Sequence, residues 1–210
     1  MRRSVQFLVF LGSAALLAGC ATTPSLHYKG PAPTHSPVAD QDVSLQTKIT
    51  SGTIIHNNCF FALTKLCRRS TMTPKHMISD YDKILASALT EEGASHVAES
   101  GNAPWVIETH ITNGTASKYP VLVHYELGKT MAMGLIPIVG MFTPRYYGVH
   151  VNIEDHVTIY HEGKPVWHSV IPESYTHHFG SNPGNHAIKA YRTAQDAAVS
   201  EILTGLSDAH

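Results

Sequence analysis

The chain has 210 residues, with 15 Lys and Arg against 16 Asp and Glu, 15 His and three Cys. That near-neutral balance argues against a nucleic-acid partner, which a basic patch would recruit. The length suits one domain of ordinary size with a real core.

Arg2 and Arg3 open the chain, and an apolar run follows from Val5 to Leu17. It ends in Leu17-Ala18-Gly19-Cys20. A basic start, a short apolar stretch and small residues before a cut are the marks of a secretory signal peptide. The run is too short for a comfortable membrane span, which needs about 20 apolar residues. Leu17-Ala18-Gly19-Cys20 resembles the lipobox of bacterial lipoprotein precursors. The resemblance implies cleavage before Cys20, a diacylglycerol on its thiol and an acylated new amino terminus. Each buried CH₂ contributes about 0.8 kcal/mol, so two or three chains hold a protein firmly in a bilayer. In Gram-negative lipoproteins an Asp after the Cys commonly causes inner-membrane retention; Ala21 stands there, which implies the outer membrane with the domain facing the periplasm. The cut removes two of the 15 basic residues and leaves a mildly acidic chain.

Residues 20–42 then read as a lipidated Cys and a flexible tether, with Pro24, Pro31, Pro33 and Pro37 among small polar residues. A single α+β periplasmic domain is expected over 43–210. Val43, Leu45, Ile49, Ile54 and Ile55 suggest a first strand or strand pair. Asn58 to Arg69 reads as a short helix or a loop. It holds Cys59 and Cys67, an even pair once Cys20 carries lipid. In an oxidising compartment such a pair reads as a disulfide, worth roughly 2.5 kcal/mol in the chain-entropy picture. On a straight helix the two would lie about 12 Å apart, too far to bond, so the segment must turn. The other reading of Cys59 is the thiolate of a hydrolase.

Thr73-Pro74 starts a helix over about 75–92, with Ile78, Tyr81, Leu85, Ala88 and Leu89 on one face and Gly93 at its end. Trp105, Ile107, Thr109 and Ile111 alternate as a strand, and Val121 to Tyr125 is another. From Tyr147 to Tyr160, Val149, Val151, Ile153, Val157 and Ile159 face one way and His150, Asn152, Glu154, His156 and Thr158 the other. Glu162-Gly163 turns the chain into a hairpin partner over Val166 to Ile171. A last helix, about 186–205, presents Ile188, Tyr191, Ala194, Ala198, Ile202 and Leu203, with Gly205 as its stop. The simplest packing is a two-layer α+β sandwich: a mostly antiparallel sheet of about four strands, with two helices on one face. This element order resembles that of the lipopolysaccharide-assembly lipoprotein and other small periplasmic lipoproteins. No functional residue is carried over from them.

Two stretches invite contact or chemistry. Residues 131–142 are apolar throughout, including Met133, Leu135, Ile136, Ile138, Val139, Met141 and Phe142. They form either a buried crossing between strands or an exposed loop that touches lipid or a partner. His150, His156, His161, His168, His177 and His178 crowd the long hairpin. A metal needs converging ligands, and His150 and His156 are six residues apart, about 20 Å when extended. No His-Glu-x-x-His pattern, nucleophile elbow or phosphate-binding loop is present. The sequence therefore predicts a non-enzymatic, lipid-anchored envelope protein, without cofactor or metal, acting through an envelope protein partner. The alternatives are a lipid- or glycolipid-binding module using 131–142 and a Cys59 hydrolase.

Overall fold

The computed structural model describes residues 26–30, 36–50, 54–57, 68–114, 120–125, 147–179 and 183–209. Its described strands are β1 (Asp42–Ile49), β2 (Ile54–Asn57), β3 (Arg68–Met72), β4 (His96–Ala98), β5 (Trp105–Asn113), β6 (Val121–Tyr125), β7 (Tyr147–His161) and β8 (Lys164–Phe179). Two helices, α1 (Pro74–Glu91) and α2 (Pro183–Asp208), complete the fold.

The sheet is organised around β7. β8 pairs with all of β7, antiparallel, from Tyr147↔Phe179 to His161↔Lys164. The other edge of β7 is shared: β5 takes its second half and β6 its first. β1 lies parallel to β5, and β2 parallel to β6. β4 pairs with β1 on one outer side and β3 with β2 on the other. The sheet is thus five lanes wide, with three of its lanes broken into two strands each. The expected mixed fold with two helices on a sheet is met, and the sheet of about four mostly antiparallel strands only roughly: the sheet is wider, and beside four antiparallel pairings three are parallel.

Local chemistry explains the best-formed elements. Thr73 is extended (φ −84°, ψ 160°), and its hydroxyl accepts from the His76 N–H at 3.4 Å while Pro74 opens α1. At the β7–β8 turn, Glu162 (φ 51°) and Gly163 (φ 75°) are both left-handed, as a two-residue type I′ hairpin requires. β8 carries Pro165, which sits by a register shift, and Pro172, and among the described residues it pairs with β7 alone.

Both helices cover one face of the sheet. α1 buries Met77, Tyr81, Ile84, Leu85, Ala88 and Leu89. α2 buries Tyr191, Ala194, Ala198, Val199, Ile202 and Leu203. The odd-numbered side chains of β5 and β7, from Trp105 to Ile111 and from Val149 to Ile159, meet them. The layers are joined by polar links as well. Tyr81 Oη and Thr109 Oγ1 are 2.9 Å apart, and Tyr191 Oη donates to the Met77 carbonyl at 3.0 Å. Arg192 ties the helices together, with Nη2 and Nε at 2.7 and 2.8 Å from Asp80 Oδ2.

Three further differences from the sequence reading have physical causes. Part of the expected tether packs on the domain: Tyr28 and Val38 are buried, and Leu26 lies against the core. The Asp40 N–H donates to the Gly93 carbonyl at 2.9 Å, and Ser95 N–H to that of Gln41 at 2.9 Å, which fixes this segment to the end of α1. The stretch from Asn58 to Arg69 is neither helix nor loop at its far end, because Arg68 and Arg69 begin β3. Gly205 does not stop α2, which runs on to Asp208. A Cβ there would lie 2.3 Å from Trp167 Cε2, so the indole of β8 occupies the side-chain space.

Gly205→Ala tests that contact. Helix propensity alone would make Ala better by about 1 kcal/mol. The clash with Trp167 reverses the sign, and a net loss of about 1–3 kcal/mol is expected in urea unfolding.

Candidate functional site

The residues singled out for lipidation, disulfide bonding and contact (Cys20, Cys59, Cys67, Met133, Leu135, Ile136, Ile138, Val139, Met141 and Phe142) lie outside the described residues. The described strands nevertheless fix where two of their segments begin and end. Asn57 and Arg68 are Cα partners in an antiparallel pair, so the chain reverses between them, as a Cys59–Cys67 bond would require. Tyr125 and Tyr147 are likewise partners, and the apolar stretch belongs to the 126–146 connection between them. β2 and β6 are parallel neighbours, with His56 opposite Val123. Both connections therefore depart side by side, from the same end of the sheet.

The amino-terminal segment meets the domain elsewhere. His27 Nδ1 is 3.1 Å from Ser87 Oγ in the C-terminal half of α1, and burial raises the Asp196 carboxyl of α2 while the nearby Lys29 charge partly offsets this. An open groove of about 960 Å³ runs beside this segment, lined by Asp80, Lys83, Ser87 and Glu91 of α1, with His27 and Arg192. The end of α1 is tied to the start of β1, which pairs with the start of β5 and through it with the end of β7. β7 spans the sheet from this end to the loop-bearing one, about 45 Å for a strand of its length.

Asp155 is the group that the sequence reading passed over. It stands between Ile153 and Val157 on the core-facing side of β7 and is fully buried. Among the described residues, neither carboxylate oxygen has a hydrogen-bond partner, and neither amide atom of the buried Gln195 on α2 has one. Burial pushes the Asp155 pKa up to about 8, and the Glu173 carboxylate on β8 adds to this. Gln195 lies near enough to pull the other way, although no hydrogen bond of ordinary geometry joins the two. Tyr81 and Tyr191 are raised in turn, first by burial and then by the charge of Asp155. An acid in the apolar phase of an otherwise regular strand was the signal available in the sequence. Its burial makes it a property of the core, out of reach of a bound substrate.

The opposite face of the sheet is open and rich in His. His150 Nδ1 is 3.0 Å from Thr176 Oγ1, and His168 Nδ1 is 3.0 Å from Thr158 Oγ1. His161 is not on this face: it stacks on the buried Trp105 at the edge of the helix-covered side, with centroids 4.2 Å apart. The backbones of His177 and His178 continue β8 opposite Val149 and Gly148. The hairpin histidines are thus spread along the ladder, not gathered. Val166 and Val170 of β8 are exposed large apolar side chains, at 38% and 45%.

In solved structures, the chain is similar to a Xanthomonas campestris protein of family DUF330, with TM-score 0.47, 10% identity and coverage of 86% of this chain and 92% of that one. It is also similar to a Helicobacter pylori homologue of a neuraminyllactose-binding hemagglutinin, with TM-score 0.45, 11% identity and coverage of 85% and 92%. A minor lipoprotein from Acinetobacter baumannii gives TM-score 0.36, 11% identity and coverage of 82% and 94%. No protein-family model and no curated sequence matches the chain.

The buried acid gives stability a definite pH dependence. A carboxyl with a raised folded pKa favours folding fully below its unfolded value, about 3.9. That contribution is lost as pH rises toward the folded value of about 8. The slope from Asp155 is at most about 1.4 kcal/mol per pH unit. Urea unfolding across this range should show stability falling with pH in the native chain and a shallower fall in Asp155→Asn; equal slopes would remove Asp155 as the cause.

Proposed function

We propose that this chain is an envelope lipoprotein, anchored in the outer membrane through lipid on Cys20, that docks on a protein partner as an accessory or assembly component. The lipobox-like Leu17-Ala18-Gly19-Cys20 supports the anchor, and Ala21 supports outer-membrane sorting with the domain in the periplasm. Cys59 and Cys67 form a disulfide that pins the turn between Asn57 and Arg68. That bond leaves no thiol for a hydrolase, so the protein acts by binding.

The observation that carries the docking reading is the placement of the two connections. The 58–67 and 126–146 segments begin and end next to each other at one end of the sheet. Of the described residues nearest the anchor, Leu26 and Tyr28 pack on the domain and His27 meets Ser87 of α1, toward the other end. Only residues 21–25 separate Cys20 from Leu26, a reach of about 20 Å when extended. The sheet is more than twice that long along β7. The connection that contains Met133, Leu135, Ile136, Ile138, Val139, Met141 and Phe142 departs from the end of the sheet farther from Leu26, which supports contact beyond the protein's own bilayer. A protein beyond the membrane surface suits that geometry better than the anchoring lipid does.

Two measurements test this. A photocrosslinking residue at Leu135 or Phe142 should give a defined protein adduct in cells, while one at the exposed Lys83 should not. Adducts with lipid would favour the lipid-binding module instead. A non-reducing peptide map should show a diacylated or triacylated Cys20 at the new amino terminus and a bonded Cys59–Cys67 peptide. An unmodified Cys20 would sink the anchor, and a free Cys59 would return the hydrolase to consideration.

A further inference from the structure

The amino-terminal segment is held in two different ways along its length. Residues 36–41 are tied down through the main chain. Asp40 N–H donates to the Gly93 carbonyl at 2.9 Å, Ser95 N–H donates to that of Gln41 at 2.9 Å, and Val38 is fully buried. Residues 26–30 meet the domain through side chains. Tyr28 is 6% exposed and belongs to the core cluster, against which Leu26 packs in part. His27 and Lys29 are exposed; the first reaches Ser87 of α1, and the charge of the second acts on Asp196 of α2. Leu26 and His27 also line the open groove, which leaves one flank of this stretch to solvent. One ring therefore does most of the holding. A Cβ on Gly30 would overlap the Tyr28 hydroxyl, so the ring lies back over the Gly30 backbone and needs a glycine there.

We propose that residues 26–30 form a releasable strap that sets how far the domain reaches from the membrane, a reading that rests on the lipid anchor proposed for Cys20. With the strap seated, only residues 21–25 separate Cys20 from Leu26, a reach of about 20 Å. With it released, the first firmly held residue is Val38, and residues 21–37 separate it from Cys20. The reach becomes about 60 Å. The gain, about 40 Å, approaches the length of β7 itself.

The seated form gains the burial of one aromatic ring and part of a leucine. Against this stands the backbone and side-chain freedom that five ordered residues give up. The two terms oppose each other closely, and a stretch with so few buried contacts opens before the sheet does. Its opening leaves the Asp40–Gly93 and Gln41–Ser95 bonds in place, and β1 with them. A partner beyond the seated reach meets only the released form, so its binding draws the population across. The domain stands near its own membrane until such a partner holds it farther out.

Trypsin cleavage after Lys29 reads release in the full chain in detergent micelles. In the native chain it should proceed in urea too dilute to unfold the sheet. Gly30→Ala, which displaces the ring, and Tyr28→Ala, which removes it, should each speed cleavage by about fivefold or more, with circular dichroism unchanged. The reach is read in vesicles, by energy transfer to acceptor-labelled lipid headgroups from a donor dye on Lys164→Cys, exposed at the end of the sheet nearer Leu26. Both strap substitutions should lower the transfer by about half or more. His96→Ala, which lines the groove outside the strap, should leave it unchanged. A chain that fails to float with the vesicles would overturn the anchor, and the reach with it. Cleavage at Lys29 only where the sheet unfolds, or transfer unchanged by both substitutions in chains that do float, would overturn the strap and leave the anchor standing.

Discussion

The fold depends on the pairing of one strand. β7 is 15 residues long and pairs over its whole length with β8, while its other edge serves first β6 and then β5. Because side chains alternate, the register of this strand decides which face of the sheet becomes core. A slip of one residue would turn Val149, Val151, Ile153, Val157 and Ile159 to water and drive His150 and His156 under the helices. Against that penalty a single buried acid, Asp155, is tolerated in the apolar row. Five apolar neighbours in phase outweigh one carboxyl, which is kept neutral by its surroundings.

The same strand separates what the sequence discloses from what it conceals. β5, β6, β7, the 162–163 turn and both helices announce themselves through local periodicity and caps, because their stabilising contacts repeat every two or every three to four residues. The parallel pairings β1–β5 and β2–β6 leave no such mark, since a partner some 60 residues away imposes no local pattern. β3 and β4 are too short to show an alternation. The packing of Tyr28 and Val38 was hidden by the prolines around them, which read as a free linker. Gly205 carried a stop signal whose real cause, the Trp167 ring, sits 38 positions earlier. The opposition of His110 and His156 is non-local for the same reason, whereas the out-of-phase Asp155 was visible in the strand itself.

The structure divides along the axis of the sheet and across its faces. At one end the amino-terminal segment is bound to α1 and to the start of β1. At the other, two connections leave from adjoining strands. The helices close one face with the ion pair of Asp80 and Arg192 and with two buried tyrosines. The other face stays wet and carries its histidines in hydrogen-bonded rows. The proposed docking role would gain from such a division, since anchoring, packing and recognition would draw on different surfaces and constrain one another little.

The prolines of β8 have a consequence for crowding. The proposed lipid anchor would confine molecules to two dimensions and raise the frequency with which their flanks collide. A strand of 16 residues, outermost among the described residues, would then offer neighbours a long row of amides, the template for edge-to-edge stacking. Pro165 and Pro172 remove donors from that row, and neither can extend a ladder. The hairpin that organises the fold thus carries its own protection against aggregation.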